Sequence, residues 1–192
     1  VYREGITRLE DRDFRYAEEL GYIIKLLAIA RQGRGGLQLR VHPAFISKDH
    51  LLAKVDGVFN AVEIQGDLVG ATLVHGRGAG SAPTSSAVVG NVLDIARGIL
   101  NRANVSTLPP FMSSTEVEPI EDLWTAYYLR LLVADQTGVL HQIAAIFAEM
   151  DISIASVIQK AVDDETHVAE IVITTHPALE SSMQKALTRL ES

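Results

Sequence analysis

The chain has no cysteine, which excludes disulfides and thiolate-held metal and fits a reducing cytoplasm. It also lacks any apolar run near the ~20 residues a helix needs to cross a bilayer, although 47% of its residues are apolar. No membrane partner is therefore expected. Basic charge is not in excess: 17 Lys and Arg stand against 24 Asp and Glu, a net charge of −7. A nucleic-acid surface needs a basic face, so that class is set aside too. The six histidines show no metal-ligand spacing, and neither paired carboxylates nor a nucleophile–base pair stands out. Neither a metal site nor a catalytic residue is expected within these residues. The chain opens at Val1 with no initiator methionine and no targeting segment, and we read it as a piece of a longer protein.

The acidity is uneven. Residues 1–100 carry 12 Lys and Arg against 11 Asp and Glu, residues 101–125 carry 1 against 4, and residues 126–192 carry 4 against 9. The middle stretch loses periodicity, with Pro109-Pro110, Ser113-Ser114 and Pro119 among Glu116, Glu118, Glu121 and Asp122, the composition of a solvated linker. Three parts follow: a mixed α/β region at 1–100, an acidic Pro/Ser linker at 101–125, and a smaller α+β module at 126–192. In the first part the spacing of Ala17, Leu20, Ile24, Leu27 and Ala28 predicts one helix from about Phe14 to Gln32, capped by Asp11 or Asp13. Leu37 to Val41 reads as a strand whose later part Pro43 places at an edge or end. Val58 to Ile64 reads as another strand, turning at Gly66-Asp67 into the run Leu68–His75.

That run ends in Gly76, Gly78 and Gly80, and Pro83 opens an apolar helical pattern reaching Leu100. Strand, glycine turn and helix start make an anion-friendly site: glycines let backbone approach a ligand, and the helix N-terminus offers free N–H groups and partial positive charge. The spacing is G-x-G-x-G rather than G-x-G-x-x-G, and no acidic residue closes a second strand about 20 residues on, so it is not the dinucleotide fingerprint.

GRGAGSAPTSSAVV at 76–89 resembles a segment near the end of the catalytic region of homoserine dehydrogenases. The likeness extends back through Glu4-Gly5-Ile6, Leu20 to Leu27, Val41-His42-Pro43 and Asn60-Ala61-Val62. It implies that this is the C-terminal portion of an NADP- or NAD-dependent oxidoreductase interconverting L-homoserine and L-aspartate 4-semialdehyde, in threonine and methionine biosynthesis. Gly78, Ala79 and Gly80 would be its cofactor-contacting residues, with Gly80 touching the nucleotide. The residues credited with proton transfer in the family precede this segment, so the chain alone is expected to be inactive. The rival reading is a non-enzymatic amino-acid sensor whose first 100 residues serve as a dimer scaffold.

Beyond the linker the predicted order is β-α-β-β-α: strand 128–134, helix 138–150, strands 152–161 and 166–175, helix 177–190. That is a ferredoxin-like arrangement without its closing strand. Asp135-Gln136-Thr137-Gly138-Val139-Leu140 resembles the D-x-x-G-V-L turn of ACT domains, which bind amino acids, and Ile152-Ser153-Ile154 fits their second strand. The likeness implies an effector site of Asp135, Gly138, Val139, Leu140, Asp151 and Ile152, with threonine as effector. Asp151 stands where the family often has Asn, adding negative charge close to the expected carboxylate position.

Plainer readings hold for other residues. Lys25, amid Ile23, Ile24, Leu26 and Leu27, lays its methylenes on the core and extends its amine to water. His42 and His75 are structural, and turn geometry accounts for Glu4. The unfilled strands at 37–75 and the edges of the ACT sheet call for a homodimer or higher homo-oligomer.

Overall fold

The computed structural model describes residues 1–33, 35–101, 116–159 and 168–191. In chain order these form β1 (Tyr2–Arg3), α1 (Asp11–Glu19), β2 (Tyr22–Gln32), β3 (Leu37–Ser47), β4 (Phe59–Gly66), β5 (Gly70–Arg77), α2 (Ser81–Leu100), β6 (Trp124–Thr125), β7 (Tyr128–Ala134), α3 (Val139–Glu149), β8 (Ile154–Gln159), β9 (Val168–Thr175), β10 (Ala178–Leu179) and α4 (Glu180–Leu190), with short 3-10 turns at Leu51–Lys54 and Ile120–Asp122. The class is α+β, as the sequence predicts. The chain divides into two compact units, one of Val1–Phe45 with 115–192, the other of 46–114. The first 45 residues thus belong with residues 115–192.

One predicted helix is corrected. Residues 14–32 are not continuous: α1 stops at Glu19 and β2 begins at Tyr22. Gly21 adopts φ +81°, and Leu20 and Gly21 donate their N–H groups to Tyr16 and Glu18, the left-handed exit that ends a helix at glycine. Beyond it, the apolar run at 22–30 satisfies strand pairing as well as helical spacing, an ambiguity periodicity alone does not resolve. Lys25 therefore lies on a strand. β3 is also longer than the sequence suggests and runs through Pro43, which follows Val41, the last residue of β3 paired with β1. The proline removes no ladder bond on that side. The order of this sheet is β1-β3-β2.

Residues 102–115 of the expected linker, with both its Pro-Pro and Ser-Ser pairs, lie outside the described residues. Residues 116–125 are not solvated linker: Val117 bridges Leu37 in parallel, Leu37 and Glu118 exchange backbone hydrogen bonds with Glu116 and Leu37, Leu123 is buried, and β6 pairs antiparallel with β10. Apolar Val117, Ile120, Leu123 and Trp124, set among the acidic residues, carry this stretch onto the fold.

The C-terminal module is the expected βαββα. Its sheet has the order β7-β9-β8, all antiparallel; residues 160–167, where the sequence expects the end of one strand and the start of the next, lie outside the described residues. Side chains alternate across the sheet. Leu129, Ile171 and Ile173 join Ile143, Phe147, Ile152, Met183 and Ala186 in the core formed with α3 and α4. Tyr128, Arg130, Glu170, Val172 and Thr174 occupy the other face, as the register requires. Helix α3 ends in a Schellman motif, Ile152 N–H donating to Phe147 and Asp151 N–H to Ala148, with Asp151 at φ +58° in the left-handed position.

In the other unit, β4 and β5 form a hairpin in register from Phe59↔Arg77 to Gly66↔Gly70; the turn falls at 67–69, so Gly66 is still paired and Leu68 and Val69, read from the sequence as strand, belong to the turn. Helix α2 begins at Ser81, two residues before Pro83, because Gly80 serves as N-cap, and none of its residues is buried.

Candidate functional site

The hairpin delivers Gly78-Ala79-Gly80 to the start of α2. Gly78 N–H donates to the Val58 carbonyl at 2.9 Å, and a Cβ at Gly78 would overlap the Asn60 amide. A side chain at position 78 would have to displace that amide. Gly80 sits at φ +124°, which L side chains rarely adopt, and its carbonyl accepts from Thr84 N–H at 3.2 Å. Pro83 stands in the first turn, where an N–H would have no helical acceptor. Around this turn, His75 stacks on Phe59 with ring centroids 4.8 Å apart, and the Arg77 guanidinium lies 5.5 Å from the Phe59 centroid. The geometry offers an anion the N-terminal end of a 20-residue helix beside a backbone stripped of Cβ atoms. The part played by Asn60 is not visible in the sequence, because it depends on strand register.

In the C-terminal module, Asp135 and Gly138 lie in the turn between β7 and α3, and Val139 and Leu140 open α3. Gln136 N–H donates to Ala134 and Gln142 N–H to Gly138. Gly138 is the N-cap of α3 at φ +96°, with nothing within 4 Å of where a Cβ would stand. Asp135 is exposed, as is Leu140. Asp151 and Ile152, by contrast, sit past the far end of α3. Thirteen residues separate Gly138 from Asp151, about 20 Å at 1.5 Å per residue. The expected crowding of the carboxylate position by Asp151 does not occur within one module, since a straight helix keeps its ends apart.

A third cluster was not anticipated. It covers the sheet face opposite α3 and α4. Asp13 of α1, buried, accepts from Arg130 Nε at 2.8 Å and from Tyr128 Oη at 2.7 Å on Oδ1, and from Glu10 N–H at 2.8 Å on Oδ2. Glu170 accepts from Tyr16 Oη at 2.5 Å and Arg12 Nη1 at 2.9 Å. Arg130 also reaches Glu10 at 3.1 Å and Glu170 at 3.5 Å. Burial alone would raise the Asp13 carboxyl, but hydrogen bonds from Arg130, the Glu10 backbone and Tyr128 outweigh it and hold it below the ordinary carboxylate value. Glu170 is lowered in the same way, with burial opposed by Tyr16 and Arg12. Tyr16 is pushed up to about 12 by burial and by its bond to Glu170. The one signal in the sequence was a lone arginine inside the strand Tyr128–Ala134.

Lys25 is half-buried on β2, Glu4 accepts from Tyr2 Oη at 3.0 Å, and His42 Nδ1 lies 2.8 Å from the Pro43 carbonyl. A cleft of about 510 Å³ opens between β1, β3 and Val117–Leu123, lined by none of the residues singled out for the cofactor or effector. Among the described residues no three His, Asp or Glu side chains converge as a metal site would require, and no helix is long and apolar enough to cross a membrane.

Comparison with known proteins accounts for both halves. Residues 1–93 match the homoserine dehydrogenase family model, and residues 127–192 match the ACT domain model. Homoserine dehydrogenases of Neisseria gonorrhoeae and Pseudomonas aeruginosa are 45% and 41% identical over the whole chain. The chain spans 45% of the length of these curated relatives. The crystal structure of a homoserine dehydrogenase from Thiobacillus denitrificans superposes with a TM-score of 0.85 at 42% identity, covering 98% of this chain and 43% of that one. That of S. aureus homoserine dehydrogenase at pH 6.0 gives 0.61 at 30% identity, covering 98% and 44%. Residues 1–93 of the chain therefore belong to the homoserine dehydrogenase family, and residues 127–192 are an ACT domain.

Proposed function

We propose that the chain is the C-terminal part of an NADP- or NAD-dependent homoserine dehydrogenase that interconverts L-homoserine and L-aspartate 4-semialdehyde. The observation that carries this reading is the strand, glycine turn and helix start at Gly76–Ser81 inside a segment of that family. The turn suits a nucleotide: Gly78 and Gly80 present backbone without side chains, and the first N–H groups of α2 face outward with the helix's partial positive charge. Gly78, Ala79 and Gly80 would hold the cofactor there. When bound, the nicotinamide accepts or supplies the hydride, while the protein positions the substrate and manages its proton. No residue of this chain is assigned the proton transfer, so the 192-residue chain by itself is inactive.

The ACT domain is the amino-acid sensor of this enzyme, with threonine its ligand. Asp135 attracts the ammonium group and the N-terminus of α3 the carboxylate, Gly138 leaving the space open. Asp151 and Ile152, distant within one module, join the site only where two modules pair, which requires a homodimer.

The test sets the full-length protein beside the 192-residue chain in homoserine-dependent NADP reduction. Activity is expected from the first and none above buffer from the second. A full-length protein without activity overturns the enzyme reading. Activity in the chain alone overturns the placing of proton transfer elsewhere. Calorimetry of the full-length protein with threonine, and of its Gly138→Leu variant, tests the sensor: binding is expected in the parent and lost in the variant.

A further inference from the structure

The ACT sheet has two faces, and only one is covered by its own helices. The other is covered by α1, which lies within the residues matched to the homoserine dehydrogenase family. The contact is charged and specific. From the sheet come Tyr128, Arg130 and Glu170, and from α1 come Arg12, Asp13 and Tyr16, with Glu10 at its N-cap. The Arg130 side chain is 13% exposed and that of Asp13 4%. Every oxygen of Asp13 and Glu170 is engaged. Beside this cluster Phe45 of β3 stacks on Tyr128 at 4.5 Å between centroids, and Tyr22 of β2 lies 5.9 Å from Phe45.

Such a network adds little stability over apolar packing, but it fixes one alignment of the two elements, and losing one member leaves its partners imperfectly paired. Its location is what matters. Arg130 and Tyr128 sit on β7, and β7 leads directly to Asp135 and the proposed effector turn, five residues or about 17 Å beyond Arg130. Glu170 sits on β9, hydrogen-bonded beside β7. On the other side, α1 leads through Leu20 and Gly21 straight into β2. A ligand that shifts the end of β7 changes the seating of Arg130, and α1 is what Arg130 holds.

We propose that α1 is the element through which the ACT domain acts on the homoserine dehydrogenase segment, with Arg130 and Glu170 as positioning residues that transmit the effector's presence. This rests on the reading of the ACT domain as a threonine sensor. Neither residue contacts the proposed effector turn or the glycine turn, so ligand binding and basal activity survive their replacement while the link between them does not.

The experiment uses the full-length protein, its Arg130→Gln and Glu170→Gln variants, and threonine as the probe. Binding is read by calorimetry, inhibition as the ratio of activity without and with saturating threonine, and the relay by hydrogen exchange across residues 11–19. In the parent, threonine is expected to bind, inhibit and alter α1 exchange. In both variants it still binds, but the activity ratio falls at least about fivefold, the lower end of ordinary allosteric coupling, and the α1 response disappears. Variants inhibited as fully as the parent overturn the relay and leave the sensor standing. A parent that binds threonine with no change in activity or in α1 also overturns it. A parent that binds no threonine overturns the sensor reading and the relay with it. If Arg130→Gln does not fold, Glu170→Gln carries the same comparison, because it leaves the Arg130–Asp13 pair intact.

Discussion

Gly138 and Asp151 both occupy left-handed backbone, at opposite ends of α3, and replacing them has opposite consequences. A Cβ at Gly138 meets nothing within 4 Å, so Gly138→Ala costs only backbone strain, about 1–2 kcal/mol. Urea unfolding of the 192-residue chain measures it; an unchanged midpoint would show that the turn relaxes without cost. Asp151 is the residue after the cap of α3, where the helix dipole is negative. Asp151→Asn keeps a residue that tolerates positive φ and removes the unfavourable charge, so a gain of about 0.3–1 kcal/mol is expected. A less stable variant would mean that the carboxylate has an attractive partner in solution.

At the scale of elements, the contact of α1 with β7 and β9 should be acid-sensitive. The Asp13 and Glu170 carboxyls both lie below their ordinary values in the folded chain. Their contribution is therefore complete above the ordinary carboxylate range and is lost as pH falls through the lowered values, below about pH 4. Arg130→Met leaves Asp13 buried and unpaired, at a cost of about 3–5 kcal/mol near neutrality. That cost should shrink toward pH 3 as the carboxyls protonate in both proteins. Denaturant midpoints of parent and variant against pH provide the check, and a difference independent of pH would remove the ion pairs as its cause. On the alkaline side, Tyr16, pushed up to about 12, stabilises the contact below its ordinary value near 10 and ceases to as pH rises toward 12. Elements of this kind mark the limit of what the sequence discloses. The C-terminal βαββα order was legible because its alternations and turn residues are local and consistent. The glycine turn was legible because three glycines before a proline have few other uses. The break at Gly21 was not, since Leu20, Ile24 and Leu27 satisfy a helical period by coincidence and one glycine decides the matter. Nor was the α1 contact, because Asp13 meets residues 115 and 117 positions away, a separation at which periodicity carries no information.

At the scale of the whole molecule, the described residues of the unit at 46–114 leave much apolar surface uncovered. No residue of α2 is buried, and Val62, Ile64 and Val74 of the hairpin and Val88, Val92 and Ile99 of the helix are among its exposed apolar side chains. A two-stranded hairpin with an uncovered apolar helix is marginal by itself. The chain, 20.9 kDa, is accordingly expected to self-associate as a two-fold dimer at tens of micromolar, ample for a Kd of ~1 μM. Light scattering that gives the mass of one chain at that concentration would argue against it. The joining of the first 45 residues to residues 115–192 has a further consequence, in the order of synthesis. Arg12 leaves the ribosome 158 residues before its partner Glu170, an interval of roughly 8–30 s at 5–20 residues per second. During that time α1 has its cap but not the surface it is built to meet, and Asp13 has no arginine. The chain must keep this helix in waiting while everything between is made, so the unit that holds the sensor is the last to close.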